Sequence, residues 1–217
     1  MNRSPRARCC ETDCGWALVF LLLGAGCAAA PAWQQSPGPA AGDAAEPAGT
    51  WDWQASALIG GRSLDDDGFG PVDEQFVFGG EIAARPVGSW LGMEGGAQIG
   101  IGAHGTPFLP DYSESHVGEL YVGARATWAA GEVLRPYCGV GVSLASVGLS
   151  KQIGFTESDD RDVTGGVYLH AGVDYLVGRQ LLVGFDVRGL FGTSVDLLGS
   201  ATDADYVQAA LTLGLRW

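Results

Sequence analysis

The sequence predicts an all-β fold, an eight-stranded antiparallel up-and-down transmembrane β-barrel. Three observations support this prediction. Eight segments alternate apolar residues with small or polar ones, the connections between them alternate in length, and aromatic residues gather at the ends of the apolar faces. Because successive side chains of a strand point to opposite faces, the alternation predicts one face toward lipid and one toward a polar interior.

The first four segments follow one another from Thr50. They span residues 51–60, 76–85, 91–101 and 119–128. Their apolar faces include Trp51, Trp53, Ile59, Phe76, Phe78, Ile82, Leu91, Met93, Ile99, Leu120, Val122 and Trp128. Small or polar residues, many of them glycines, occupy the opposite faces.

The next three segments keep the same period of two. They span residues 137–144, 166–175 and 181–192. Their apolar faces include Cys138, Val140, Val142, Leu144, Val167, Leu169, Val173, Tyr175, Leu181, Val183, Phe185 and Phe191. With the last segment the total is eight, and bacterial barrels have an even number of strands.

The last segment, residues 206–217, has the clearest alternation and ends on Trp217. Its apolar face carries Val207, Ala209, Leu211, Leu213, Leu215 and Trp217. Its other face carries Tyr206, Gln208, Ala210, Thr212, Gly214 and Arg216. A strand of this pattern that ends on an aromatic residue is typical of a membrane barrel.

The connections differ in length in a regular order. Short ones are predicted at residues 86–89, 129–134 and 177–180, and longer ones at 64–74, 104–116, 148–164 and 193–205. Since bacterial barrels have short periplasmic turns and longer extracellular loops, both ends of the barrel domain are predicted on the periplasmic side.

Aromatic residues mark both predicted membrane interfaces. Trp51, Trp53, Trp128, Tyr175 and Trp217 lie at periplasmic strand ends, and Phe76 and Phe191 lie at outer ends. A soluble barrel of the lipocalin type is the competing fold, but it should place apolar residues inside. Here the charged residues share a parity with the glycines, so the apolar set would form a continuous band in water. This apolar band is therefore predicted to face lipid.

The beginning of the chain predicts export. Residues 1–32 are interpreted as a signal peptide, residues 33–49 as a flexible Pro-, Ala- and Gly-rich segment, and residues 50–217 as the barrel domain. Two cleavage positions remain open. Ala30-Pro31-Ala32 matches an A-x-A site, and the stretch ending at Cys27 loosely resembles a lipobox that would make this cysteine a lipidated N-terminus.

The charge balance excludes nucleic acid as a partner. The chain has a formal net charge of −13, with 12 Lys+Arg against 25 Asp+Glu. Phosphate backbones are bound by basic surfaces, which this composition does not provide. No pattern in the sequence predicts a cofactor or a cysteine-based metal site.

Residues 135–142, with the sequence R-P-Y-C-G-V-G-V, and the A-G-V-D-Y segment at 171–175 resemble the small outer-membrane β-barrel family of the OmpA transmembrane domain, OmpX and OmpW. The resemblance covers about residues 50–217 and implies the Gram-negative outer membrane, with lipid and lipopolysaccharide around the barrel. It implies a role in adhesion, envelope integrity or small-solute permeability. The end of the chain is similar to the signal that the barrel assembly machinery recognises, and Leu213, Leu215 and Trp217 would carry that signal.

The interior of the barrel is predicted to hold a structural ion-pair network. An eight-stranded barrel is just wide enough for its own side chains, so the core should be packed and polar. Buried charges persist when they are paired and hydrogen-bonded. The network is predicted to contain Glu81, Glu94, Glu119, Arg125, Asp174, Asp186, Arg188 and Arg216. Asp52, Arg62 and Arg85 share their inward parity.

An enzymatic role is not expected. A lipid A deacylase of the same fold class would need an H-x-S motif, but His170-Ala171-Gly172 and His116-Val117-Gly118 lack the serine nucleophile. A structural or surface-interaction role is therefore favoured. The alternative is a narrow conduit for small or apolar solutes.

Acidic residues gather in two predicted extracellular loops. They are Asp65, Asp66, Asp67, Asp73 and Glu74 in the first loop, and Glu157, Asp159, Asp160 and Asp162 in the third. Such runs are usually solvated, and weak binding of divalent cations is the functional alternative. The Asp65-Asp66-Asp67-Gly68 run lacks the spacing and the closing Glu of an EF-hand.

Overall fold

A computed structural model gives the fold and describes residues 50–64, 69–105, 112–153, 156–197 and 199–217. The predicted signal peptide, residues 1–32, and the predicted flexible segment, residues 33–49, lie outside the described residues. The strands are β1 (Trp51–Leu64), β2 (Glu74–Pro86), β3 (Leu91–His104), β4 (Tyr112–Thr127), β5 (Leu134–Ile153), β6 (Thr156–Val177), β7 (Leu181–Phe191), β8 (Val195–Leu197), β9 (Ser200–Thr202) and β10 (Tyr206–Arg216). A short 3₁₀ helix, η1, spans Gly70–Val72.

The sheet closes into a barrel in the order β1-β10-β7-β6-β5-β4-β3-β2, and every pair is antiparallel. This confirms the predicted fold class. Closure gives each strand two hydrogen-bonded neighbours, which satisfies the backbone where water is excluded. No helix in the described part of the chain is long and apolar enough to cross a membrane.

The predicted parity holds along β10. Leu211, Leu213 and Leu215 are exposed on the outside, whereas Tyr206 and Gln208 are buried. The same alternation fits β2 and β3, where Phe78 pairs with Ile99 on the outer face and Gly79 pairs with Gln98 on the inner face. The exposed apolar residues therefore form a belt around the barrel that faces lipid.

The three short turns lie where the sequence placed them. Each contains a glycine with a positive φ, at Gly88 (83°), Gly131 (81°) and Gly178 (70°). A side chain at these positions would be strained in the left-handed region, so glycine permits the tight reversal.

The predicted extracellular loop at 148–164 is wrong. Strand β5 continues to Ile153, β6 begins at Thr156, and their ladder pairs Gly148 with Arg161 and Ser150 with Asp159. Strand β4 likewise begins at Tyr112, inside the predicted loop at 104–116. Beyond the membrane the outward side chains meet water, so hydrogen-bonded strands continue without the apolar alternation that marks them in the sequence.

The other two long connections also contain structure. The predicted loop at 64–74 includes η1, and the predicted loop at 193–205 includes a small β8–β9 hairpin. Asp205 fixes the base of the hairpin, since its carboxylate accepts hydrogen bonds from the backbone N–H of Thr193 at 2.9 Å and from the Thr193 hydroxyl at 2.7 Å. These elements fold toward the mouth of the barrel.

An apolar layer fills the interior at this end, which corrects the prediction of a polar core throughout. It consists of Leu64, Phe69, Val72, Val117, Ala145, Val147, Leu149, Val195, Leu197 and Ala204. Phe69 and Val147 are completely buried. The extended strands enclose space above the polar interior, and η1 and the hairpin cover it with apolar side chains.

Candidate functional site in the barrel interior

One carboxylate organises the centre of the barrel. Glu119 on β4 is 3% exposed. Its Oε1 accepts hydrogen bonds from Arg188 Nη2 at 2.8 Å and from Ser143 Oγ at 2.7 Å. Its Oε2 accepts hydrogen bonds from Arg62 Nη2 at 3.3 Å, from Gln98 Nε2 at 2.7 Å and from the Tyr206 hydroxyl. We call these six residues the Glu119 cluster.

Two glutamines extend the Glu119 cluster across the barrel. Gln208 Nε2 donates to Gln98 Oε1 at 2.9 Å, and Gln208 Oε1 accepts from Arg62 Nε at 3.2 Å. Both glutamines are 1% exposed, so their amides depend on these partners. The sequence prediction did not include them, although their inward parity was visible.

Tyrosine rings stack on the buried guanidinium groups. Arg188 lies between Tyr121 and Tyr168, with its guanidinium carbon 3.8 Å and 4.0 Å from the two ring centroids. Arg62 stacks on Tyr206 at 3.8 Å, and Arg125 stacks on Tyr137 at 3.7 Å. Such contacts stabilise a desolvated cation through the negative face of the ring. The inward tyrosines are the second set of residues that the prediction missed.

A second cluster lies between the Glu119 cluster and the short-turn end of the barrel. Its residues are Glu81, Glu94, Arg125, His170, Asp174 and Asp186, which we call the His170 cluster. Arg125 forms ion pairs with Glu81 and, at 3.2 Å, with Asp174.

Both ring nitrogens of His170 face carboxylates. Nε2 lies 2.8 Å from Glu94 Oε1, and Nδ1 lies 2.9 Å from Asp186 Oδ2. Hydroxyl groups complete the arrangement, since Tyr168 donates to Glu94 at 2.7 Å and Tyr137 donates to Asp186 at 3.0 Å. His170 is thus held as a bridge between β3 and β7.

A third group closes the barrel at the short-turn end. Asp52 accepts hydrogen bonds from Arg85 Nη2 at 2.8 Å and from Arg216 Nε at 2.6 Å. Arg135 lines the same small cavity. We call Asp52, Arg85, Arg135 and Arg216 the arginine mouth.

The structure separates the predicted network into layers. Glu81, Glu94, Arg125, Asp174 and Asp186 meet in the His170 cluster, and Glu119 and Arg188 meet in the Glu119 cluster. Arg216 stands apart from both and pairs with Asp52. Each layer combines residues from distant strands, which strand parity alone cannot specify.

The residues of the proposed C-terminal signal face outward. Leu213, Leu215 and Trp217 are 57%, 56% and 62% exposed. The backbone of Trp217 exchanges two hydrogen bonds with Trp53, each 3.0 Å long, which joins the end of the chain to β1. Recognition of these residues by the assembly machinery stays a prediction.

Among the described residues, one group of interior side chains could hold a metal ion by geometry. Ligand atoms of Glu81, Glu94 and His170 lie within 4.8 Å of one another. However, the Arg125 guanidinium already contacts Glu81 and lies 4.0 Å from Glu94, and both His170 nitrogens are used. The arrangement is that of an ion-pair network in which an arginine takes the place of a metal cation.

The acidic residues predicted in the first and third long loops form the outer rim. Two of them in the described ranges, Asp73 and Asp162, accept hydrogen bonds from nearby backbone N–H groups. Asp162 accepts hydrogen bonds from the N–H groups of Val163 at 2.7 Å and Asp196 at 2.8 Å, which joins the hairpin to β6. Asp73 accepts one from Glu74 N–H at 3.0 Å. In the described ranges, no three of these rim carboxylates gather as metal ligands. Residues 65–67 lie outside the described ranges, and cation binding at the rim stays a prediction.

Neither histidine considered for catalysis contacts a nucleophile among the described residues. His116 Nε2 lies 3.1 Å from Arg161 Nη2, and His170 contacts carboxylates. The buried Ser143 hydroxyl donates to Glu119 instead. An acyl-transfer site requires a hydroxyl or thiol within hydrogen-bond distance of its base.

Replacing Glu119 with alanine should strongly destabilise the barrel. Two guanidinium groups and three neutral donors would lose their acceptor, and leaving buried charges unpaired typically costs about 3–5 kcal/mol. The free energy of unfolding, measured by urea titration in detergent micelles, checks this expectation. Glu132→Gln is the matched control, because Glu132 is exposed in a short turn and should change stability by less than about 0.5 kcal/mol. Equal effects of both substitutions would contradict the central role of Glu119.

The comparisons agree with this geometry. A family model described as outer membrane protein beta-barrel domain matches residues 18–217. The attachment invasion locus protein Ail of Yersinia pestis, solved with the heparin analogue sucrose octasulfate, is similar with 12% identity and a TM-score of 0.54, covering 77% of this chain and 99% of that chain.

A major outer membrane protein of Thermus thermophilus is similar with 11% identity and a TM-score of 0.53, again covering 77% and 99%. A sequence search of curated proteins found no significant match. The structural similarities show a shared fold, and the family model covers nearly the whole chain. The chain therefore belongs to the outer membrane protein β-barrel domain family and resides in the outer membrane of a Gram-negative bacterium.

Proposed function

We propose that this protein is a non-conducting outer-membrane barrel that acts through its extracellular surface. The observation that carries the proposal is the occluded interior. The arginine mouth, the His170 cluster, the Glu119 cluster and the apolar layer follow one another along the barrel and fill its cross-section. Under this proposal the interior stabilises the fold, and contact with the surroundings takes place at the outer end.

The volumes of the interior cavities support occlusion. Two cavities inside the described barrel measure about 30 Å³ and 10 Å³. A cavity needs roughly 10–15 Å³ of this kind of volume to hold one water molecule. Each of these two cavities therefore has room for only a few waters, which supports an interior without a continuous hydrated path.

The β5–β6 hairpin is the main outer feature. These strands have 20 and 22 residues, whereas β7 and β10 have 11 each. A strand of about 10 residues spans an outer membrane, so the hairpin extends well into the surroundings. A rigid ladder that stands above the membrane is a suitable platform for contact with another molecule.

The charge of the outer end favours partners with a basic surface. Exposed Asp159, Asp196 and Asp203 lie on β6, on β8 and just after β9, and Arg161 is a nearby cation among the described side chains. Ail was solved with a polyanionic heparin analogue. The acidic outer end here would repel such a ligand, so we propose a different class of partner for this chain.

A conduit for small or apolar solutes is the second candidate. The apolar layer at the outer end favours it, because it would accept an apolar molecule. Such a solute would then have to cross the buried charges or leave sideways through the wall. The described β4–β5 ladder is continuous from Tyr112 paired with Gln152 to Thr127 paired with Tyr137, which argues against lateral exit there.

We further propose that the barrel acts without catalysis and without a cofactor. Outer-membrane lipid and lipopolysaccharide would surround the apolar belt, and the barrel assembly machinery would recognise Leu213, Leu215 and Trp217. The exposure of these three residues on the lipid face supports that last role.

Conductance in planar lipid bilayers tests the occlusion. The purified, heat-modifiable protein should give no single-channel steps, because layers of paired charges and apolar side chains block the interior. A general porin inserted into the same membranes serves as the positive control. Reproducible ohmic steps from folded protein would contradict the proposal and favour the conduit.

Binding through the acidic outer end can be measured in nanodiscs of neutral lipid. The wild-type protein should bind immobilised polylysine in a salt-dependent manner and should not bind heparin. A variant with Asp159→Asn, Asp196→Asn and Asp203→Asn should bind polylysine at least several-fold more weakly. Glu132→Gln, on the periplasmic side, is the matched control and should bind like the wild type. Heparin binding as tight as polylysine binding would overturn this part of the proposal.

A further inference from the structure

The arginine mouth carries an excess of positive charge in an otherwise acidic protein. It combines Arg85, Arg135 and Arg216 with Asp52 as its carboxylate, whereas the whole chain has a net charge of −13. These four side chains line one cavity of about 30 Å³ at the periplasmic end of the barrel. This local excess of positive charge results from where the charged side chains lie. Its sign is opposite to that of the net charge of the chain.

Asp52 is fully engaged by two of the three arginines. Its Oδ2 accepts hydrogen bonds from Arg85 Nε at 3.0 Å and Nη2 at 2.8 Å, and from Arg216 Nη2 at 2.6 Å. Its Oδ1 accepts from Arg216 Nε at 2.6 Å. One negative charge thus serves two guanidinium groups, and among the described residues it forms no ion pair with Arg135 within 4.0 Å.

Arg135 has no carboxylate of its own in the described part of the chain. It forms no salt bridge there within 4.0 Å, and its buried Nε has no hydrogen-bond acceptor. The other carboxylate facing it is Asp174, its register partner on β6. Asp174 Oδ2 already accepts from Arg125 Nη2 at 3.2 Å and from Gln54 Nε2 at 3.0 Å.

Converging guanidinium groups are stabilised by an oxyanion. Guanidinium groups a few ångströms apart repel one another near a protein surface. An anion bound between them attracts each group, and this attraction outweighs their mutual repulsion. Guanidinium groups bind phosphate through paired, charge-assisted hydrogen bonds, for which a free Nε–H edge is suited. Arg135 lines the cavity together with Arg85 and Arg216, so its guanidinium could turn toward a bound oxyanion.

The site is accessible from the periplasm and lies at the depth of lipid headgroups. Asp52, Arg85 and Arg216 also line a wide groove of about 680 Å³ on the periplasmic face, together with Trp51, Trp53 and Trp217. Tryptophan residues at membrane interfaces lie at the headgroup level. A phosphate group can therefore reach Arg85 and Arg216 either from the inner leaflet or from the aqueous periplasm, and Arg135 lines the adjoining cavity with them.

We propose that the arginine mouth binds a phosphate-type oxyanion, supplied either by a phospholipid headgroup of the inner leaflet or by free phosphate. Arg135 provides the unpaired guanidinium, and Arg85 and Arg216 provide the flanking positive charge. Bound phosphate would join β5 to β1, β2 and β10 at the periplasmic end. This role is independent of the proposed extracellular contact, because it concerns the opposite end of the barrel.

Thermal unfolding of the full barrel domain in dodecyl maltoside, a detergent without phosphate, tests the proposal. Inorganic phosphate is titrated in one arm at constant ionic strength with chloride. Phosphatidylglycerol in mixed micelles is titrated in the other, with diacylglycerol as the uncharged lipid control. Ligand that binds the folded state raises the unfolding midpoint, so the midpoint should rise in at least one arm. The arm that responds identifies the source of the phosphate.

Arg135→Gln should raise the ligand concentration for half of this effect by about tenfold or more, since one charge-assisted bidentate contact is lost. Arg135→Lys keeps the positive charge but lacks the planar guanidinium with its paired N–H donors. Its ligand concentration for half of the effect should therefore lie between those of Arg135→Gln and the wild type. Arg179→Gln is the control, because Arg179 is exposed in the β6–β7 turn and does not line the cavity. It should respond like the wild type.

Three results would overturn the proposal. The first is no rise of the midpoint in either arm. The second is an equal response of Arg135→Gln and the wild type. The third is an equally weakened response to the ligand in Arg179→Gln and Arg135→Gln, which would indicate nonspecific attraction of the anion by the positive charge of the protein. If Arg135→Gln does not fold, Arg135→Lys with an unchanged response would count against the proposal as well.

Discussion

Pairing of charges across the interior is the constraint on which this barrel depends. The inward charges of the Glu119 cluster and the His170 cluster are enclosed by a lipid-facing wall and lie beneath an apolar layer, so bulk water does little to stabilise them. Glu119 illustrates how these charges are paired, since its carboxylate accepts hydrogen bonds from side chains on strands β1, β3, β5, β7 and β10. Removing the carboxylate would leave two guanidinium groups buried without it. The same pairing that stabilises the wall also fills much of the interior with side chains.

The two ends differ in their chemistry. At the outer end, η1 and the β8–β9 hairpin cover the interior with Phe69, Val72 and Val195, and acidic side chains face the surroundings. At the end with the short turns, Arg135 has no carboxylate partner among the described residues and lies beside the Arg85–Asp52–Arg216 group. The described outer end therefore carries exposed carboxylates, whereas the opposite end carries three arginines around one aspartate. The chain as a whole is acidic, so this difference in charge between the two ends arises from where the charged side chains lie.

Much of the membrane part could be predicted from the sequence, because alternation reports which face a residue occupies. Leu211 and Gln208 were assigned to the correct faces for that reason. Alternation does not report the partner across the barrel, which depends on register and stagger. Arg62 and Glu119 are 57 residues apart in the chain and meet only after closure. The β5–β6 extension was missed because its strands lie in water on the outside. The apolar layer was missed because most of its members, among them Phe69, Val72 and Val195, lie in segments interpreted as loops.

Arg188 and Glu119 stabilise the barrel as a pair. A double-mutant cycle with Arg188→Met, Glu119→Gln and the combined variant measures their coupling directly, using urea unfolding in micelles. Close, desolvated charge pairs show coupling energies on the order of 1.5–7 kcal/mol, and we expect a value of at least about 2 kcal/mol for this pair. Additive effects, with a coupling energy below about 0.5 kcal/mol, would show that the two residues act independently and that the barrel does not depend on their pairing.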